Sequence, residues 1–512
     1  MQLRYREVPT LPQLAWCARV DRGSDVAEVF HGSLVETRPQ AFAEGLWNGA
    51  FDAFDFASAT IVAGTGGIAE RDRIRFCSST DHLGPLFSIS KRSSVYVSNS
   101  PAFALTMSGE ELDDAYPFYG YDFVRIYRQG MFCPDGRLRL RSSTTLGVHT
   151  MTFVMVDARG RMTFEPHRLC EAPTDYRSYE RLLREGTQAI VANGADAARK
   201  RSYAPLVPLS RGYDSTAAAV LGKAAGCTQA FAFEDPRRPN PKRDSGASNA
   251  RFFLGMHCNS YSRWQHLALD RPVEAEFGYL AASCRAPLAG VEAELPAKVL
   301  LVGETGDVIW EPAGAKAANE MSKSWSRRAL GISPIEFRLR VGFQMFTPAS
   351  IAARHHAAIH AITTSAEMQP WTIGGDYDRP LARRIVEEAG VPRDQFATRK
   401  AASAHSRLME PSRFSPKGFA DYRRFVAERH ATRNPRAIDY WKARVRWTHR
   451  WWDWLETKGH KQPRYVPSTF LQRRLPFLLN ATPTRIDWDY MFTFQWSVAA
   501  MKSRYVVPDA NG

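Results

Sequence analysis

Six consecutive residues, Ser210-Arg211-Gly212-Tyr213-Asp214-Ser215, carry the densest chemistry in this chain. The apolar run Val207 to Leu209 leads into them and the small-residue run Ala217 to Leu221 leads out. The pattern predicts a strand, a tight polar loop and a helix N-terminus in immediate succession. At such a junction backbone amides and the positive end of the helix dipole converge on one point, which suits an anion. The hydroxyls of Ser210 and Ser215 add donors for phosphate oxygens. Asp214 would repel those oxygens unless a divalent cation sat between them, so ATP carried with Mg2+ answers the loop better than a bare anion. The same residues would also serve as an ordinary strand-to-helix turn with a Ser/Asp cap.

The segments that must position this loop follow in order. Phe231 to Asp235 reads as the next parallel strand and Asp244 to Gly255 as a capped amphipathic helix. Val299 to Val302 reads as a buried strand whose end carries Gly303-Glu304-Thr305-Gly306-Asp307. Arg379 to Pro392 forms a further helix and its exit, and Phe396-Ala-Thr-Arg399-Lys400 comes next. Strands alternating with helices predict an α/β domain with a doubly wound parallel sheet.

In order and spacing these segments resemble the asparagine synthetase-like N-type ATP pyrophosphatases, whose pyrophosphate loop reads Ser-Gly-Gly-x-Asp-Ser. Arg211 stands where that loop has its first Gly, where it would either clamp a phosphate or block close backbone approach. The resemblance implies that Ser210, Arg211, Gly212, Tyr213, Asp214 and Ser215, with Gly303 and Glu304, contact ATP and its pyrophosphate. It implies that Asp214 and Asp307 bind Mg2+, and that Arg399 and Lys400 fold back as catalytic cations, Lys400 meeting charge on the leaving pyrophosphate and the acyl intermediate. Val308 replaces the acidic residue that follows the second metal ligand in the synthetases, and Trp310-Glu-Pro replaces Phe-Gly-Gly.

The N-terminal part is similar to the glutaminase half of the same family through Glu44 to Phe56, Asp81 to Phe87 and Tyr96 to Leu105. Active glutaminases expose a cysteine at position 2, whose own α-amino group acts as base. This chain has Gln2, and Cys17 lies inside a segment. The organisation implied is an Ntn-hydrolase-like α+β sandwich at 1–165, an ATP pyrophosphatase domain at 175–410 and a basic, Trp-rich helical region at 411–512. The activity implied is an AMP- and pyrophosphate-forming carbon-nitrogen ligase that adenylates a small-molecule or peptide carboxylate and joins it to an amine without using glutamine. Relatives lacking the N-terminal cysteine include β-lactam synthetases and lasso peptide cyclases, so a macrocyclising or natural-product ligase is within the family's range.

Composition narrows the field. The 512 residues are 44% hydrophobic, enough for more than one core, and no apolar run reaches the about eighteen residues of a membrane span. The N-terminus lacks an apolar signal region, so the cytoplasm is expected. Seven scattered cysteines form neither a disulfide framework nor a Cys-x-x-Cys zinc site. Lys and Arg outnumber Asp and Glu by 68 to 53, and a basic run from Tyr422 to Arg474 includes Trp441, Trp447, Trp451, Trp452 and Trp454. Interleaved aromatics and cations can grip nucleic acid, which makes a tRNA- or RNA-modifying ATP pyrophosphatase the competing reading. The cysteine pattern counts against it, and an amphipathic helical subdomain or a peptide-binding face uses the same residues. A nucleotide-binding protein without ligase activity is a third reading, drawn from Arg211 and Val308.

His356 and His360 share a helical face but lack the Glu of the metalloprotease motif and a third ligand. Ala63-Gly-Thr-Gly-Gly67 reads as a hairpin turn. Asp235 to Arg243 is the most loop-like stretch and follows the second strand where a lid over ATP would lie.

Overall fold

In the computed structural model the residues described are 1–120, 122–123, 126, 136–235, 245–279, 285–312, 334–374, 377–397, 414–432, 436, 439–443 and 491–507. Arg399 and Lys400, all of 236–243, and most of the run from Tyr422 to Arg474, including Trp447, Trp451, Trp452 and Trp454, lie outside them.

Period-2 alternation builds the first part of the chain. Strands β1 (Gln2–Glu7), β2 (Trp16–Asp21), β3 (Val26–His31), β4 (Glu36–Arg38), β5 (Ala41–Trp47), β6 (Val62–Ala69), β7 (Arg73–Cys77), β8 (Leu86–Ser90) and β9 (Ser94–Ser98) precede a short helix, Pro101–Ser108. Strands β10 (Gly136–Arg139), β11 (Thr145–His149), β12 (Thr152–Asp157) and β13 (Met162–Pro166) follow it. They form a seven-stranded sheet in the order β1-β3-β2-β9-β8-β11-β10 and a six-stranded sheet in the order β13-β12-β7-β6-β5-β4. Trp16, Ala18 and Val20 of β2 meet Phe42, Ile74, Phe76, Val154 and Val156 of the other sheet, while Cys17 faces the opposite side. Trp16 packs edge-on to Phe42 at 4.8 Å.

Each sheet also has its outer face covered. Phe51, Phe54 and Phe56, from the loop after β5, lie with Trp47, Phe153 and Met155 over the six-stranded sheet. The seven-stranded sheet packs against the helix Pro101–Ser108 and against the described C-terminal helices Pro416–Thr432 and Thr493–Lys502. The Gly-rich stretch 63–67 is thus strand interior and not a hairpin turn. Its glycines let β6 lie close on β5, since a β-carbon at Gly66 would come within 2.4 Å of the Phe42 carbonyl.

The second part holds a third sheet of five parallel strands, in the order β16-β15-β14-β17-β18. These are β14 (Ala204–Leu209), β15 (Gln229–Glu234), β16 (His257–Ser262), β17 (Lys298–Leu301) and β18 (Gln344–Phe346). Both faces are buried. Val207, Val299 and Leu301 face a core shared with the helices Tyr176–Ala195, Tyr213–Ala224 and Pro380–Glu388, and Leu206, Leu300 and Phe231 face one shared with the helix Ile335–Val341. The helix expected over 244–255 is shorter, Ala247–Phe252, and begins at Gly246 with no side-chain cap.

A buried ion pair joins the two parts: both guanidinium amines of Arg338 donate to the Glu44 carboxylate, at 2.7 and 2.9 Å. Glu44 also accepts from Thr65 at 2.7 Å and from Asn99 at 3.2 Å, so its oxygens are satisfied. No helix among the described residues is long and apolar enough to cross a membrane.

Candidate functional site

Counted along the second part, the strand order is 3-2-1-4-5, so it reverses between β14 and β17. Beyond the C-terminal ends of strands at such a reversal a crevice opens in which ligands bind. Loop 210–215, after β14, stands on one side of it and loop 303–307, after β17, on the other.

Two glycines bring these loops together. A β-carbon at Gly303 would lie 2.4 Å from the Ser215 amide nitrogen, and one at Gly306 would lie 2.6 Å from Asp214 Oδ1. Any side chain at either position would therefore push the acidic loops apart. Gly212 differs, with an extended backbone (φ −77°) and no atom closer than 3.4 Å to a β-carbon placed there. Neither backbone nor neighbours demand glycine at 212, where a β-carbon would make ordinary van der Waals contact with the hydroxyls of Ser210, Tyr377 and Ser215. Thr305 holds a left-handed φ of 66°, a strained setting for a β-branched residue. Thr347 clamps the turn by donating its hydroxyl to the Glu304 carbonyl at 2.5 Å.

The hydroxyls of Ser210 and Ser215 are 2.6 Å apart at the loop mouth, and Ser210 Oγ accepts the Gly212 amide at 3.2 Å. Arg211 turns toward the segment before Arg399: its Nε and Nη2 donate to the carbonyls of Gln395 and Asp394 at 2.8 and 3.0 Å. Its own carbonyl accepts from the Ala397 amide at 2.7 Å. The Tyr213 side chain is fully buried between Tyr377 and Phe396, and its hydroxyl accepts from Arg383. Burial raises its pKa to about 12. The ring therefore wedges the helix start, leaving the backbone of Tyr213 as its part in the crevice. The Glu304 carboxylate faces Arg285 and, at 3.7 Å, His82 of the sandwich.

Asp214 Oδ2 accepts from Arg379 Nη1 at 2.5 Å, and the Arg379 side chain is only 2% exposed. Burial disfavours its charge, but Asp214 and then Asp307 more than offset that and raise its pKa. Both carboxylates thus bear on one guanidinium. From the sequence alone Arg379 reads only as the start of a helix. A signal was there, because a cation at the N-cap of Pro380–Glu388 opposes the helix dipole and needs another reason to be in that place.

Gln2 is exposed on the edge strand β1, and Cys17 is buried in β2, where burial pushes its thiol pKa up. The rings of His356 and His360 are 6.4 Å apart, and among the described residues no three His, Cys, Asp or Glu groups are placed to share a metal ion. Comparison of the chain with protein-family models and with curated proteins finds no match. Fold and site together define a mixed α/β protein in which a parallel sheet presents two acidic loops and a buried guanidinium at its strand reversal.

Proposed function

We propose that the chain is an ATP-dependent ligase that adenylates a substrate carboxylate and forms an amide, as the likeness of its motifs to asparagine synthetases implies. The observation that carries this reading is that Asp214 and Asp307, on the two loops at the reversal point, both act electrostatically on the Arg379 guanidinium, which donates to Asp214. Two carboxylates and one guanidinium leave a net negative charge. That suits Mg2+, which takes one or two protein carboxylates and completes its shell with water and substrate phosphates. Asp214 and Asp307 would hold that ion, which supplies charge neutralisation at the phosphate oxygens when bound.

The chain's own groups divide the remaining work. Amides at the start of Tyr213–Ala224 and the hydroxyls of Ser210 and Ser215 bind the β- and γ-phosphates. The substrate carboxylate attacks the α-phosphorus and pyrophosphate leaves; an amine then attacks the acyl carbon, releasing AMP. Lys400, which lies outside the described residues, is assigned in this reading to the charge that builds on the leaving pyrophosphate and the acyl intermediate. Residues 1–165 act in this reading as a scaffold that makes no ammonia from glutamine.

The test is the pattern of phosphate release. With a carboxylate substrate the protein forms AMP and pyrophosphate and exchanges labelled pyrophosphate into ATP, and Asp214→Asn with Asp307→Asn abolishes both; ADP as product would overturn the proposal. The contact of Asp214 with Arg379 favours a second reading, nucleotide binding without ligase activity. ATP binding with no exchange across a broad panel of carboxylates would select it.

A further inference from the structure

The acidic loop after β17 is held from the neighbouring strand. β18 pairs with β17, and the first residue beyond it, Thr347, is fully buried. The Thr347 hydroxyl has one proton, which goes to the Glu304 carbonyl at 2.5 Å, since a carbonyl oxygen only accepts. The Thr305 hydroxyl lies 3.3 Å from the Thr347 hydroxyl. With the Thr347 proton already committed, Thr305 is the donor of that contact. The two threonines thus form a relay, from Thr305 to Thr347 to the Glu304 carbonyl, that ties the turn to the end of β18. Thr347 is itself fixed, because its carbonyl accepts from the Ser350 amide at 3.0 Å and the Ser350 hydroxyl at 2.7 Å.

Position 305 needs such a hold. Its φ of 66° lies in the left-handed region, which β-branched residues rarely adopt and which persists only where the surroundings over-determine it. The Thr305 carbonyl starts the short helix Gly306–Ile309 by accepting from the Val308 and Ile309 amides, at 2.9 Å each. Gly306 lies against Asp214, and Asp307 follows in the first turn, from which its charge reaches the Arg379 guanidinium. A rotation about φ at 305 would swing the residues after it, so the placing of Asp307 is decided two residues upstream. The far end of the loop is anchored separately, by buried Trp310, whose indole N–H donates to the Tyr179 hydroxyl at 3.0 Å.

We propose that Thr347 and Thr305 are positioning residues for the cation site: their hydroxyl relay holds the left-handed turn that sets where Asp307 lies relative to Asp214. Neither threonine is a ligand, and each acts through Asp307. The proposal rests on the reading of Asp214 and Asp307 as the Mg2+ site, and it is tested by binding, without any activity.

Mn2+, which takes the same oxygen ligands as Mg2+ and is read by paramagnetic resonance, is titrated alone into the full chain. The parent binds it saturably and Asp307→Asn does not. Thr347→Val keeps the shape but has no proton to give, and it binds Mn2+ at least about tenfold more weakly because the Glu304 carbonyl loses its donor and the turn relaxes. Thr347→Ser, which retains the hydroxyl, returns to within about threefold of the parent, and Thr305→Val weakens binding as Thr347→Val does. Thr152→Val is the control: it removes a buried hydroxyl of the sandwich, one that donates to the Glu165 carbonyl at 2.9 Å, and leaves Mn2+ affinity unchanged. Parental affinity in Thr347→Val or Thr305→Val, a loss in Thr347→Ser as large as in Thr347→Val, or an equal loss in Thr152→Val each overturns the proposal. No saturable Mn2+ binding by the parent, or parental binding by Asp307→Asn, overturns the Mg2+ reading and this proposal with it. Circular dichroism confirms the fold of each variant. Should Thr347→Val fail to fold, Thr305→Val and Thr347→Ser still decide.

Discussion

Replacing Arg379 with methionine keeps most of the side chain's volume and removes its charge. The parent guanidinium is 2% exposed and the Asp214 carboxylate 20% exposed, so the pair is largely shielded from water. Removing one partner of a buried pair costs about 3–5 kcal/mol because the other charge is stranded. Partial exposure of Asp214 places the expected loss near the lower end, about 3 kcal/mol. The loss would be read as a lower urea midpoint at unchanged slope in metal-free buffer. Two carboxylates without a guanidinium form a stronger cation site, so Mg2+ at a hundredfold excess over its dissociation constant should return about 2.7 kcal/mol to Arg379→Met. The parent, with Asp214 already neutralised, should gain less from the same ion. Two results would refute the reasoning: a variant as stable as the parent without metal, or equal stabilisation of both chains by Mg2+. The first would mean that the contact contributes nothing, the second that Asp214 and Asp307 do not act as one site.

Gly303→Ala would drive a β-carbon against the Ser215 amide, costing about 1–3 kcal/mol and weakening nucleotide binding, whereas Gly212→Ala should leave stability nearly unchanged; thermal melts with and without ATP compare them. Lys400→Ala should slow amide formation by about a hundredfold while ATP affinity holds, as expected of a cation that meets charge developing in the transition state; equal rates would remove Lys400 from the mechanism. His266 is depressed to about 4, chiefly by burial, so it contributes stability above its ordinary pKa that is lost as pH falls from about 6.5 toward 4. His266→Phe should flatten the fall in urea stability between pH 6 and 5 by about 1 kcal/mol relative to the parent, and identical slopes would show that the ring does not titrate in this way.

The strand at 299–302 and the strand, loop and helix around 207–221 were legible because each is a local pattern: an apolar run, a polar break and a small-residue helix. The outer strands were not. β16 is His257-Cys-Asn-Ser-Tyr-Ser262, half-exposed at the sheet edge, with no apolar run to mark it. The glycines of 63–67 look like turn residues until Phe42 and the β5 backbone are seen packed against them. Site roles divided in the same way. Asp214 and Asp307 could be picked out by their positions after strands, but the turning of Arg211 to Gln395 and of Glu304 to Arg285 and His82 depends on residues far away in the chain. The partnership of Arg379 with Asp214 spans 165 positions, beyond the reach of any window of sequence.

The covering of the seven-stranded sheet has a consequence for how the chain is made. Phe87, Ile89, Leu146 and Val148 share a cluster with Met491, Phe494 and Trp496, and Tyr505 stacks on Phe103 at 4.8 Å. About 400 residues separate β8 from the helix Thr493–Lys502 that helps cover it. At about 5–20 residues per second, the ribosome needs roughly 20–80 s to supply that cover. For most of that interval, once β10 and β11 have been made, an aromatic-rich face stands open on the sheet, a surface for a chaperone to hold. A chain that stopped short of residue 491 would keep the face open permanently and would be expected to aggregate even though neither acidic loop had lost a residue.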